Sequence, residues 1–103
     1  MIAPAEAAKR LAAGGDFVLL DVRSPKELAV AAVAGAVNVP MAEIPVRLRE
    51  IDRSKDVAVM CHHGVRSAQV AAFLVNQGWT RVSSVAGGID RWSVDVDPKI
   101  PRY

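Results

Sequence analysis

The chain reads as an α/β domain, a mostly parallel central sheet with helices on both faces, and three observations carry that reading. Two strand-like runs, Phe17–Val22 and Val57–Met60, are almost continuously apolar, as expected of strands covered on both sides rather than one. Helical patterns stand between the strand-like ones, the order that builds parallel sheets. Half of the 103 residues are apolar with few aromatics, so the core must be built from Val, Ile, Leu and Ala within a single domain, 1–103.

Each element has a local reason. Pro4 to Ala13 is a first helix: Pro suits the first turn, Leu11 and the alanines give an apolar face, and Gly14-Gly15 stops it. After the first strand, Ser24-Pro25-Lys26-Glu27 has the capping-box spacing with Pro at the first helical position, opening a short helix to about Val33. Ala36–Pro40 reads as a brief strand, and Glu43–Ile51 as a weakly amphipathic helix. Asp56–Met60 is the second central strand. The next helix spans Ser67–Gln77, with Gly78 to end it. Arg81–Val85 is a further strand, Gly87-Gly88 a tight turn, and Ile89–Trp92 the start of a last helix. Asp95–Tyr103, with Pro98 and Pro101, is expected to lie extended over the surface. Trp79 and Trp92 read as core or hinge anchors.

Charge and composition narrow the function. The net charge is +2, with Lys and Arg scattered singly among Asp and Glu, so nucleic-acid binding has little support. A mildly positive potential still favours a small anionic substrate. No apolar run is long enough to span a membrane and no signal-peptide pattern opens the chain. One cysteine allows no internal disulfide. A cytoplasmic protein is expected.

That cysteine, Cys61, opens the run Cys61-His62-His63-Gly64-Val65-Arg66-Ser67, between a buried strand and a helix N-terminus. Unpaired N–H groups and the helix dipole favour negative charge there, which lowers a thiol pKa and exposes a nucleophilic thiolate. If the loop curls, the N–H groups from His62 to Ser67 can turn inward as an anion-binding nest. Gly64 permits the positive φ that such a curl needs. Arg66 adds a planar, permanently charged fork, and Ser67 can cap the helix and offer its hydroxyl to the sulfur. Arg66 at a helix start opposes the dipole, so it needs a negative partner, and Glu27 is a candidate alongside its capping role. Asp21 reads as structural, while Arg23 fits either a structural tie or a site neighbour. His62 and His63 suit substrate steering or plain solvation better than metal binding, because three adjacent ligands, Cys61 included, seldom converge on one ion and no further Cys or His exists.

Four motifs in register resemble single-domain rhodaneses: Asp21-Val22-Arg23 with Glu27, Gly35–Pro40, the Cys61–Ser67 loop, and Gly87-Gly88-Ile89 with Trp92. They cover nearly the whole chain. The resemblance implies a rhodanese-like α/β fold and a sulfurtransferase with Cys61 as nucleophile and persulfide carrier, supported by the loop His62–Ser67, with Asp21, Arg23 and Glu27 as candidate supporting residues. It implies no metal and no cofactor. The donor would be a small anion such as thiosulfate or another sulfane compound, and the acceptor cyanide, a thiol or a partner protein. Two alternatives share the same thiolate. One is a sulfur-relay or docking module with little free turnover. The other is a Cys-dependent phosphatase or arsenate reductase; the related dual-specificity phosphatases have a longer gap between Cys and Arg, against the four residues between Cys61 and Arg66.

Overall fold

A computed structural model describes every residue from Met1 to Tyr103. The strands are β1 (Phe17–Asp21), β2 (Val37–Asn38), β3 (Asp56–Met60) and β4 (Val82–Ser84). They form one parallel sheet in the order β2-β1-β3-β4. The helices are α1 (Pro4–Ala13), α2 (Pro25–Val30), α3 (Val65–Asn76) and α4 (Gly88–Asp95).

Alternation along the two central strands divides their side chains between two cores. Leu20, Val22, Val57, Val59 and Cys61 pack with Ile44, Val70, Leu74 and Trp79 on one face. Phe17, Leu19, Ala58 and Met60 pack with Ala7, Ile89 and Trp92 on the other. Each large apolar side chain buried here contributes about 1.5–3 kcal/mol. An exposed ion pair adds about 0–1 kcal/mol. The two cores therefore fix the sheet, and their presence on both faces is why the strands read as apolar runs. No helix is long and apolar enough to cross a membrane.

Topology then sets the site. The chain passes from β1 outward to β2 on one side, and from β3 outward to β4 on the other. The loops leaving β1 and β3 diverge, opening a crevice at the carboxyl ends of adjacent strands. Asp21 pairs with Met60 at that end, so Arg23 and Cys61 both emerge there.

Four boundaries differ from the sequence reading. The helix expected over Glu43–Ile51 is instead two short 3-10 helices, Met41–Val46 and Leu48–Glu50, with Pro45 inside the first. Proline lacks the N–H for an i→i−4 bond and its ring crowds that carbonyl. The amphipathic pattern survives, for Ile44 and Ile51 are both buried. α2 stops at Val30 because the chain turns extended at Ala31, which is buried in the core. α3 begins two residues early: Gly64, at φ +109°, turns the chain sharply enough that Val65 is already helical. The tail runs over the surface as expected, but it is pinned there and turns at Asp97–Ile100 rather than staying extended. Ile100 is buried, its carbonyl accepts from Ser93 Oγ at 2.5 Å, and Arg102 pairs with Asp90.

Candidate active site

Cys61 follows β3 directly and is almost wholly buried. The conformation of its loop is imposed from α4. Ile89 N–H donates to the Cys61 carbonyl at 2.9 Å and Asp90 N–H to the His62 carbonyl at 3.1 Å. These are N–H groups of the first helical turn, which have no partner within the helix. Gly88, at φ +62°, allows the approach; a Cβ there would collide with the Cys61 and His62 carbonyl oxygens.

With those carbonyls held outward, donors converge on the sulfur. Gly64 N–H lies 3.0 Å from Cys61 Sγ, Ser67 N–H 3.3 Å, and Ser67 Oγ 3.5 Å. Burial pushes the Cys61 thiol up, but the Ser67 hydroxyl and the N–H groups of Ser67, Gly64 and His63 outweigh it and hold the thiol below its usual range. The expected nest is therefore narrower than a full ring of N–H groups. Ser67 does not cap α3, since Gly64 is the N-cap residue and makes no side-chain cap. Its hydroxyl instead lies 3.1 Å from Gly64 O and 2.7 Å from Ser84 Oγ. Val65 is largely exposed at the helix start.

Arg66 does find its negative partner. Its two terminal nitrogens grip Glu27, Nη1 to Oε1 at 2.6 Å and Nη2 to Oε2 at 2.9 Å. Glu27 keeps its capping box as well: its N–H donates to Ser24 Oγ and its Oε1 accepts from Ser24 N–H, both at 3.3 Å. Both anticipated roles coexist. Arg66 holds the Glu27 carboxyl far below the usual carboxylate range, with Tyr103 and Ser24 assisting against burial. Glu27 in turn raises the Arg66 guanidinium above its usual value.

Asp21 and Arg23 form a fully buried pair, Arg23 Nη2 to Asp21 Oδ2 at 2.6 Å and Nε to Oδ1 at 3.0 Å. Asn38 Nδ2 ties the same turn by donating to the carbonyls of Asp21 and Arg23. Asp21 thus ties the turn after β1 through Arg23. Arg23 is both a tie and a site neighbour, because its Nη1 donates to the Tyr103 hydroxyl at 2.9 Å.

Tyr103 was not singled out in the sequence. Its hydroxyl donates to Glu27 Oε2 at 2.6 Å, and its ring lies flat on His62 with centroids 3.8 Å apart. His63 stacks on the other side of His62, also at 3.8 Å. His62, His63 and Asp90 bring ligand-type atoms within 4.8 Å of one another. Stacked imidazoles, however, send their in-plane lone pairs side by side rather than toward one ion, and Arg102 occupies both Asp90 oxygens. The donor set does not suit a metal. Ser84 is the other unforeseen residue. No local pattern marks either one, and both reach the loop only through tertiary structure.

A buried, donor-ringed thiol in the switch-point crevice of a parallel sheet defines a class of thiolate-bearing α/β domains. The chain belongs to the rhodanese-like domain family, whose model matches residues 3–95. It is 41% identical over 85 residues to a sulfurtransferase of Allochromatium vinosum, covering 82% of this chain and 79% of that protein. Identity to a thiosulfate sulfurtransferase of Coxiella burnetii is 36% over 77 residues, covering 75% and 72%. The crystal structure of a rhodanese-related protein from Thermoplasma volcanium superposes with a TM-score of 0.84 at 31% identity, over 99% of this chain and 97% of that one. The fold expectation is met, and the family is one of sulfurtransferases.

Proposed function

We propose that the protein transfers a sulfane sulfur through a Cys61 persulfide. The observation that carries this is the pair of N–H donors on Cys61 Sγ, Gly64 at 3.0 Å and Ser67 at 3.3 Å, with the Ser67 hydroxyl oxygen 3.5 Å from the sulfur. They stabilise a thiolate without a neighbouring general base. With thiosulfate as donor, the thiolate attacks the outer sulfur, the S–S bond of the donor breaks, and sulfite leaves with the bonding pair. Cys61 then carries S–S⁻. An acceptor such as cyanide attacks the terminal sulfur, and the thiolate returns as thiocyanate departs. This is covalent, two-step catalysis needing no oxidant, metal or cofactor.

The N–H groups that hold the thiolate also suit the charge shared between sulfurs during transfer. Arg66 offers positive charge beside the loop, and His62 and His63 line the approach. The lone cysteine cannot resolve its own persulfide, so the acceptor is external: cyanide, a thiol or a partner protein. A free thiol of this kind belongs in a reducing compartment, in keeping with a cytoplasmic protein.

Intact mass before and after thiosulfate, and again after cyanide, tests the proposal with Cys61→Ser alongside. One added sulfur on the wild type only, discharged as thiocyanate, is the expected result. Loading only from a protein or small-molecule persulfide would keep Cys61 as carrier and make the protein a relay. No added sulfur from either kind of donor would overturn the proposal.

A further inference from the structure

Ser67 Oγ is crowded with partners it cannot all serve at once. It lies 2.7 Å from Ser84 Oγ, 3.1 Å from Gly64 O and 3.5 Å from Cys61 Sγ. A hydroxyl has one proton to give and two lone pairs to receive. If Ser67 donated to Ser84, nothing would remain for the sulfur, and the Ser67 oxygen would face Cys61 with a lone pair. If Ser84 donates instead, the Ser67 proton is free for the sulfur or the Gly64 carbonyl, and the bond received from Ser84 polarises the Ser67 hydroxyl and strengthens what it gives a charged sulfur.

Ser84 is placed for that role by strand register. It ends β4 and pairs with Val59 of β3. Paired residues of parallel strands share a face, and Cys61, two residues after Val59, shares it too. The Ser84 side chain is buried, and Ser67 is the one hydrogen-bond partner of its hydroxyl.

We propose that Ser84 is a positioning residue: it donates to Ser67 Oγ and so frees the Ser67 proton for Cys61 Sγ. This rests on Cys61 working as a thiolate. The charged and titratable groups around Cys61 are Arg66 from α3 with its partner Glu27 from α2, His62 and His63 in the loop, and Asp90 of α4 with Arg102. The Asp21–Arg23 pair and Tyr103 complete the set. Replacing Ser84 with alanine alters none of these charges, so a change in thiol titration reports on the hydroxyl chain itself.

The test is the pH dependence of Cys61 alkylation by iodoacetamide, with no sulfur donor present, and thermal unfolding as a check on folding. Ser84→Ala removes the donor that polarises and orients the Ser67 hydroxyl, and is expected to raise the titration midpoint by up to about half a unit. Ser84→Thr, which keeps the hydroxyl, should restore it. Ser67→Ala should raise the midpoint at least as far, and adding Ser84→Ala to it should change nothing more. An unmoved Ser84→Ala midpoint, or an equal shift in the Ser67→Ala background, would overturn the role of Ser84 while leaving the Cys61 reading intact. A wild-type thiol titrating in the ordinary range would overturn both. A low wild-type midpoint with no sulfur loading would instead overturn the sulfur transfer and leave Ser84 standing.

Discussion

Arg66 stands in the first turn of α3, just after the Cys61 loop, and both of its terminal nitrogens are committed to Glu27. A cation in the first turn of a helix is unfavourable on its own, and the bidentate pair offsets that while fixing where the charge sits. Lysine supplies the same charge without the planar fork. Arg66→Lys is therefore expected to fold normally but to load sulfur about tenfold more slowly, a loss of about 1.4 kcal/mol in the transition state. Rates of mass gain under thiosulfate measure it, and an unchanged rate would mean that charge alone suffices. At this scale the sequence was informative where chemistry is local. Cys61, Arg66 and the capping box of Ser24 and Glu27 follow from spacing alone. Ser84 does not, because a serine in a strand reads as a polar face until the register with Val59 is known. Tyr103 does not either, because nothing near it in sequence indicates that its ring meets His62.

The loop and α4 behave as one element. The first turn of α4 gives two N–H groups to the carbonyls of Cys61 and His62, and Gly88 makes the contact possible. Gly88→Ala places a side chain at φ +62° and against backbone rather than a flexible neighbour. Such strain costs about 1–3 kcal/mol, and relief by movement of the loop would spoil the donors around Sγ. The expected outcome is a lower melting temperature together with slower alkylation of Cys61, read by thermal unfolding and by iodoacetamide. Loss of stability with unchanged alkylation would separate the loop from α4. The glycine pair could be read as a turn near the loop, but not as a clamp, since the partner carbonyls lie far away in sequence. The 3-10 segment over Met41–Glu50 shows the converse: its hydrophobic period was sound, and Pro45 decided the backbone.

Across the whole molecule, carboxylates pin both ends of the sheet. At the end away from the site, Asp56 bonds Arg81 at 2.6 Å and also pairs with Arg10 of α1. Arg81, then Arg10, brings its carboxyl down to about 2. Glu27 at the other end is also strongly depressed, chiefly by Arg66. A carboxyl whose folded value lies below its unfolded value of about 4 contributes stability above pH ~4 and loses it as pH falls through the folded value. The melting temperature should accordingly hold steady from pH 7 to about 5 and decline below about 4. Asp56→Asn should flatten part of that decline, and an acid profile identical to wild type would remove Asp56 from the account. The parallel sheet with both faces covered was legible because two apolar strands demand two cores. The path of the tail was not, since Ile100 is a single apolar residue between two prolines and its burial depends on the groove beside α4.

Tyr103 is the only tyrosine in the chain, and its phenol touches Arg23, Glu27 and His62 at once. The crevice thus has its own spectroscopic label. One set of phenol ring resonances, shifted by the flanking imidazole, belongs to a residue joined to the loop, so donor arrival and sulfur loading can be followed in the unmodified protein.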